Sequence, residues 1–336
     1  MTVSPGLAEV ADSTGSLPDR AQGMLDGLRR LVPFDAAWLA LADPMSSTYT
    51  SLCSSDLDAG TVQYLSGPRM AHDIEVTRTD RARPPLSLSD LPYPAEDLPT
   101  WAECLTPAGF HEGLGVALFD AGHRHVGFLA LLYGSDEPPP PVVRRRLHRL
   151  TPVLARGSDP LRSLTAAARV VRGATAGAVL RRDGATRPLP GLDGDVLLAG
   201  GSALVGLACS RLDDGQLFTS FLWPRGGRHA PDGHVRVTVL ASGDGPCTDL
   251  RGTVVLSPAT DVKGLTPREL EVLGLLVDGC SNQQIASALV VAPRTVAAHL
   301  EHILVKFAAP TRTLAAVRAE REGLYVPRPL RPAGRG

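Results

Sequence analysis

A chain of 336 residues exceeds one ordinary domain and has room for two or three. With 43% hydrophobic and 21% charged residues it has the composition of a folded globular protein, which excludes a disordered polyelectrolyte. The formal net charge of −1 excludes a uniformly basic nucleic-acid binder, so any such contact must rest on a local basic patch.

In chain order, residues 1–17 are small and polar, with Pro5, Gly6 and Gly15, and are expected to form a flexible arm. Arg20 to Val32 carries Met24, Leu25, Leu28, Leu31 and Val32 at helical spacing, and Pro33 ends it. Phe34 to Ala42 reads as a buried strand, Thr48 to Ser54 as its antiparallel partner, and Thr61 to Leu65 as a short helix. Arg78 to Pro99, rich in Pro, Arg, Ser and Asp, is expected to loop around a cleft. Trp101 to Ala108 is a short helix candidate. Gly115–Phe119 and Val126–Tyr133 flank a turn at Asp120–His125 and form the clearest hairpin pattern. Four prolines, Pro138 to Pro141, lead into a helix from Val142 to Ala155.

Gly157–Pro160 looks like a boundary, and Leu161–Arg172 like a connecting helix. Strands are expected at Ala176–Arg181, Leu217–Trp223, Gly233–Leu240 and Gly252–Ser257. Residues 158–256 thus read as a second small α+β unit, or as the completion of one larger domain with residues 18–157. Residues 257–264, with Pro258 and Gly264, read as a linker. Residues 327–336, rich in Pro and Gly, read as a disordered tail whose Arg328, Arg331 and Arg335 are solubilising or, as the alternative, touch phosphates.

The strongest local signals lie in residues 265–326. Thr266 is an N-cap, Pro267 suits the first helical position and Glu269 completes a capping box. Leu270, Val272, Leu273, Leu276 and Val277 supply an apolar face, and Asp278-Gly279 ends the helix. Ser281 and Gln284 form a second capping box for a short helix carrying Ile285, Ala286 and Leu289. After a turn at Val290-Val291-Ala292, Pro293 starts a third helix burying Val296, Leu300, Ile303, Leu304 and Phe307. Its other face carries Arg294, Thr295, Ala297, Ala298, His299, Glu301 and His302. Helices in this order suit a helix-turn-helix, whose last member lies in a DNA major groove. A helical bundle without a DNA role fits the periodicity as well.

The string Leu265-Thr266-Pro267-Arg268-Glu269, Glu271-Val272-Leu273, Leu275-Leu276, Gly279, Ser281-Asn282, Ile285-Ala286, Leu289, Thr295-Val296, His299, Ile303-Leu304, Lys306 and Thr311-Arg312-Thr313 resembles the C-terminal DNA-binding domain of LuxR-type (FixJ-type) transcription regulators. The resemblance implies a four-helix domain that binds double-stranded DNA as a homodimer. Its fourth helix, about Thr311 to Glu322, is expected to carry the dimer contact through Leu314 and Val317, with Leu324 just past its end. Alternatively the same side closes the monomer core. Arg294, Thr295, His299 and Lys306 are expected at the DNA backbone, and Ala297, Ala298 and Glu301 at the bases. The sequence departs from the family at Ala297, where Lys is common, at Phe307-Ala308-Ala309, where Leu-Gly-Val is usual, and at Ala292, where Ser or Thr caps the helix. A missing cap costs ~1 kcal/mol.

The helix, strand, strand, cleft segment, hairpin, helix order of residues 18–157 resembles a GAF-type sensor domain, and residues 158–256 are faintly similar to a PAS domain. The expected fold class is therefore multidomain: an α+β sensor region of GAF/PAS-like type followed by an all-α, four-helix LuxR-type helix-turn-helix. Such a chain is expected to take an unknown small-molecule or protein signal, with RNA polymerase as a candidate partner.

Neither lysine, Lys263 nor Lys306, lies in a phosphate-binding loop, and no lysine precedes Lys263, so neither an ATPase module nor a receiver-type phosphorylation site is expected. No nucleophile elbow or zinc-protease motif occurs, so no catalytic residue, cofactor or metal is expected. His123 and His125 sit two apart near Asp120 and read as solvated polar residues of a hairpin tip rather than metal ligands. Cys53, Cys104, Cys209, Cys247 and Cys280 are scattered without C-x-x-C spacing and read as reduced thiols. No signal-like start occurs and no apolar run approaches the ~20 residues that span a bilayer. The expected location is the cytoplasm, at the nucleoid, with no membrane partner. A non-DNA-binding interaction protein with a degenerate helix-turn-helix is the alternative, because the reading face carries little positive charge.

Overall fold

The computed structural model describes residues 5–13, 15–43, 48–81, 84–227, 230–243 and 249–328. The chain divides into two units, Met1–Pro160 and Leu161–Gly336.

The first unit runs α1 (Pro5–Asp12), α2 (Leu17–Arg29), β1 (Ala36–Asp43), β2 (Thr48–Ser55), α3 (Ala59–Leu65), α4 (Pro68–Val76), β3 (Leu86–Ser87), β4 (Glu112–Phe119), β5 (His125–Tyr133) and α5 (Pro141–Ser158). Its antiparallel sheet has the order β2-β1-β5-β4-β3. Strand residues alternate between two buried faces. Leu39, Leu114, Val116, Leu129 and Leu131 point into a core with α1, α2 and α5. Trp38, Ala40, Phe128, Ala130 and Leu132 point into a second core with α3 and α4. Because both faces are covered, β1 and β5 are nearly continuously apolar, which is why each reads as a buried strand.

Two features differ from expectation. Part of the presumed arm is helical: Leu7 and Ala11 of α1 are buried in the core shared with α2 and α5, and this burial outweighs the loop-like Pro5-Gly6 start. The expected long loop from Arg78 to Pro99 holds β3 and short 3₁₀ turns, and α4, absent from the sequence reading, precedes it. Residues 1–4 lie outside the described residues.

The second unit runs α6 (Arg162–Val170), β6 (Ala176–Arg181), β7 (Thr186–Pro188), α7 (Ala203–Asp213), β8 (Phe218–Pro224), β9 (His234–Ala241), β10 (Leu250–Pro258), α8 (Pro267–Val277), α9 (Asn282–Leu289), α10 (Pro293–Lys306) and α11 (Arg312–Glu322). Its sheet order, β7-β6-β10-β9-β8, repeats that of the first sheet. One face packs on α6 through Val179, Val255, Leu164 and Ala168. The expected connecting helix is therefore a packed layer of this sheet. The other face, through Leu180, Phe221, Val237 and Val254, joins α7 and the helical bundle in one core.

That shared core corrects the expected partition. Residues 257 and 258 complete β10 rather than starting a linker, and the bundle is not separated from the sheet before it. Nor is the stretch after α11 free from its start. Val326 N–H donates to the Leu270 carbonyl at 3.1 Å, and Leu222 N–H of β8 donates to the Tyr325 carbonyl at 2.8 Å. Arg331 and Arg335 lie outside the described residues. Among the described residues no single helix is long and apolar enough to cross a membrane.

Candidate nucleic-acid interface

The bundle begins as its sequence dictates. Thr266 N–H donates to Glu269 Oε2 at 2.7 Å and Glu269 N–H to Thr266 Oγ1 at 3.2 Å, the reciprocal cap of α8. Leu270, Val272, Leu273, Leu275 and Leu276 are all buried, so α8 is the central helix of the unit rather than a one-sided surface helix. Gly274 makes this possible: a Cβ there would sit 1.8 Å from the Val326 carbonyl oxygen, so only glycine lets the chain beyond α11 cross it. Ser281 and Gln284 form the same reciprocal cap on α9, at 2.7 and 3.3 Å.

Val290 makes the turn. Its φ of 55° and ψ of 51° are left-handed, its side chain is 87% exposed, and a β-branched residue there is strained. The turn swings α10 by 108° from α9, within the usual range of a helix-turn-helix. Arg268 braces it, with one guanidinium nitrogen on the Leu289 carbonyl at 2.7 Å and another on Glu271 at 2.5 Å. Ala292 precedes α10 without a side-chain cap, as expected.

Along α10, Val296, Leu300 and Ile303 are buried, with Phe307 closing the end. Arg294, Ala298, Glu301 and Val305, spaced by four, three and four, form the outermost stripe of exposed residues. Thr295 and His302 are exposed beside it, while Ala297 and His299 are half-buried at its edges. Val305, 80% exposed, was not anticipated, because an apolar residue on an amphipathic helix reads as core. Among the described residues neither Arg294 nor Glu301 makes an ion pair, so both charges face outward unneutralised.

Lys306 is placed differently from its expected DNA role. Its ammonium donates to Glu269 Oε2 at 2.7 Å and to the Gly264 carbonyl at 2.8 Å. The Glu269 side chain is 3% exposed. Burial pushes its carboxyl up, but the Lys306 ammonium and the Thr266 hydrogen bonds outweigh burial and hold it below the usual carboxylate range. The charge of Lys306 is thus largely spent inside the domain. His302 Nδ1 lies 3.8 Å from the same carboxylate.

Thr311 caps α11 by accepting from Leu314 N–H at 3.2 Å. Arg312 reaches the Cys280 carbonyl at 2.6 Å, and Arg318 the Phe307 and Ala308 carbonyls at 2.6 and 3.0 Å. At the far end, Arg236 of β9 donates to the Glu322 carbonyl at 2.7 Å, placing a cation at the helix C-terminus. The three expected dimer residues part company. Val317 is 37% exposed and Leu314 partly buried, but Leu324 is 2% exposed in the core.

His125 is also not the solvated residue expected. It packs against Tyr49 and Phe119, with Nε2 at 2.9 Å from the Gly127 carbonyl, and burial lowers its pKa. Cys53, Cys104, Cys209 and Cys280 are free thiols; Cys247 lies outside the described residues.

Residues 263–319 match the family of bacterial regulatory proteins of the luxR type. An HTH-type transcriptional regulator of Mycobacterium tuberculosis is 42% identical over 66 residues, covering 20% of this chain and 8% of that protein. The nitrate/nitrite response regulator protein NarL of Escherichia coli is 38% identical over 65 residues, covering 19% of this chain and 30% of NarL. Among solved structures, the GAF domain of an Acinetobacter phosphoenolpyruvate-protein phosphotransferase overlaps 49% of this chain and 91% of its own at 16% identity. Its TM-score of 0.35 is too low to carry ligand or activity across. With its capped α8, capped α9, 108° turn and outward-facing α10, the C-terminal stretch of this chain is a LuxR-family helix-turn-helix domain.

Proposed function

We propose that the protein is a transcriptional regulator that binds double-stranded DNA as a dimer, reading the major groove with α10 and receiving a signal through its N-terminal α+β region. The observation that supports this best is the exposed stripe Arg294, Ala298, Glu301, Val305 on a helix anchored along its opposite side by Val296, Leu300 and Ile303. Arg294 and Thr295 lie at the helix start, where free backbone N–H groups and the helix dipole also favour phosphate. Arg294, Thr295 and His299 take the DNA backbone. Ala298 and Glu301, with Ala297 beside them and Val305 beyond, take the bases. Lys306 acts by holding the bundle together.

The dimer contact falls to the exposed Val317 of α11, with the partly buried Leu314 beside it, since Leu324 is committed to the core. The C-terminal end of α11 is held by Arg236 and the strand following it by β8, so a rearrangement of the second sheet is felt directly at the dimer helix. A gel-shift titration of the full chain against genomic fragments tests the reading. Saturable retardation, competed by unlabelled specific fragments and weakened by salt, supports it; absence of retardation at low salt contradicts it.

A further inference from the structure

The two sheets share one strand order. In each unit the helix before the first strand packs on one face, α2 in the first and α6 in the second. On the opposite face the first unit packs α3 and α4, which lie between its second and third strands. The second unit packs α7 there, from the same point in its order, and beside it the whole helical bundle.

The chain that follows the bundle is wedged into this junction. α11 packs against β8, the last strand of the sheet. Gly323 then turns the chain with a φ of 62°, and a Cβ there would lie 2.8 Å from Ser220 Oγ. Two residues on, the Tyr325 carbonyl accepts Leu222 N–H, so 323–325 run alongside β8 in its own direction. Leu324 and Tyr325 are both buried, and the Tyr325 ring centre lies 6.4 Å from that of Phe221. Val326 N–H bonds the Leu270 carbonyl, and the Val326 carbonyl crosses α8 at Gly274. A glycine inside a helix is destabilising relative to alanine, so α8 gives up stability where this segment crosses it.

The segment is therefore part of the core that joins sheet to bundle, yet one main-chain hydrogen bond ties it to each. The entry side converges on the same point, because Lys263 Nζ lies 2.6 Å from the Glu322 carboxylate at the end of α11. α8, α9 and α10 pack on one another, so the reading helix keeps its support when the segment lifts.

We propose that residues 323–328 are a latch that seats the bundle rigidly on the second sheet and so fixes the half-site spacing a dimer accepts. Closed, it makes the reading helix a fixed extension of the sheet. Open, it leaves the bundle on the tether between β10 and α8, free to meet half-sites at several spacings. The spacing effect rests on the proposed DNA reading; the latch itself does not.

The test follows amide exchange by NMR on the full chain. In the unaltered protein the Leu222 amide should exchange at least about tenfold more slowly than that of Phe218, four residues back on the same outer edge, the value of one hydrogen bond. Gly274→Ala drives a Cβ to 1.8 Å from the Val326 carbonyl oxygen while favouring the helix itself. Val326→Pro removes the donor to Leu270 and leaves α8 untouched. Each variant should lose the protection of Leu222 while α9 and α10 keep theirs. In a selection from a random-sequence duplex pool, the unaltered chain should enrich half-sites at one spacing and both variants the same half-site at several. Leu222 exchanging as fast as Phe218 in the unaltered chain would overturn the latch. So would loss of α9 and α10 protection in both variants, or one unchanged spacing in variants that have lost Leu222 protection. Enrichment of no motif by any of the proteins counts against the proposed function, and the exchange data then decide the latch alone.

Discussion

Replacing Lys306 by Met removes one partner of the Glu269 pair and leaves a carboxylate that is 3% exposed facing an apolar side chain. Breaking a fully buried pair in this way costs about 3–5 kcal/mol. Here the loss should be smaller, about 2–3 kcal/mol, because the Lys306 side chain is 28% exposed and Thr266 N–H still holds the carboxylate. In native-state hydrogen exchange by mass spectrometry this appears as protection in α8 and α10 falling about 30- to 150-fold, with the sheet of the first unit as internal control. Adding Glu269→Leu to Lys306→Met should recover most of the loss, since an apolar pair leaves no charge stranded. The pH dependence carries its own sign. The Glu269 carboxyl is held below its unfolded value, so its contribution is present above about pH 4.3, the unfolded value, and is lost as pH falls through the lower folded value. The deficit of the Lys306→Met variant should therefore be largest above about pH 4.3 and shrink as pH falls and Glu269 becomes protonated in both proteins. Unchanged exchange in α8 and α10, together with a DNA-salt slope reduced by about one unit, would refute the structural role and restore Lys306 to the phosphate backbone.

Arg294→Ala should weaken all DNA sites alike and lower the salt slope by about one unit; a changed preferred sequence in a binding selection would remove the phosphate assignment. Glu301 can accept from a cytosine amino group, while Ala297 and Ala298 can pack on thymine methyls. Glu301→Gln should thus relax a required C·G pair by ~1–3 kcal/mol while raising nonspecific affinity, and the same motif with the same preference in a selection would contradict this. Val317→Asp should abolish dimeric DNA binding while circular dichroism stays helical; normal affinity in that folded variant would place the dimer contact elsewhere. Val290→Gly should relieve the left-handed strain and raise stability by about 1 kcal/mol, measured as greater exchange protection of α9 and α10; a loss would mean that the exposed valine makes a contact of its own.

What was legible in the sequence was local. Both capping boxes, Thr266 with Glu269 and Ser281 with Gln284, span three residues, and each appears with both of its hydrogen bonds. The buried strands were legible because β1 and β5 are covered on both faces and carry almost unbroken apolar runs. Missed were helices whose stability comes from tertiary burial. α1 opens with Pro5-Gly6, and the buried side of α7, Leu204, Val205, Leu207 and Ala208, is interrupted by Gly206. Within the candidate site the missing pieces are long-range. Lys306 meets Glu269 across 37 positions, and Arg236 meets the end of α11 across 86. The same holds for Leu324, whose apolar character is identical whether it faces a partner protomer or the core behind β8. Val290 was hidden for the opposite reason: nothing in a β-branched residue announces a left-handed turn, so its strain is visible only in the backbone.

The most direct test of DNA reading by α10 is genome-wide mapping of fragments bound by the full chain, run in parallel with an Arg294→Ala, Glu301→Gln double variant. The account predicts discrete sites sharing a two-fold-related motif, with half-sites about one helical turn apart, and a weakened, altered motif for the variant. Fragments bound no more often than input, or an identical motif and occupancy from both proteins, would contradict it.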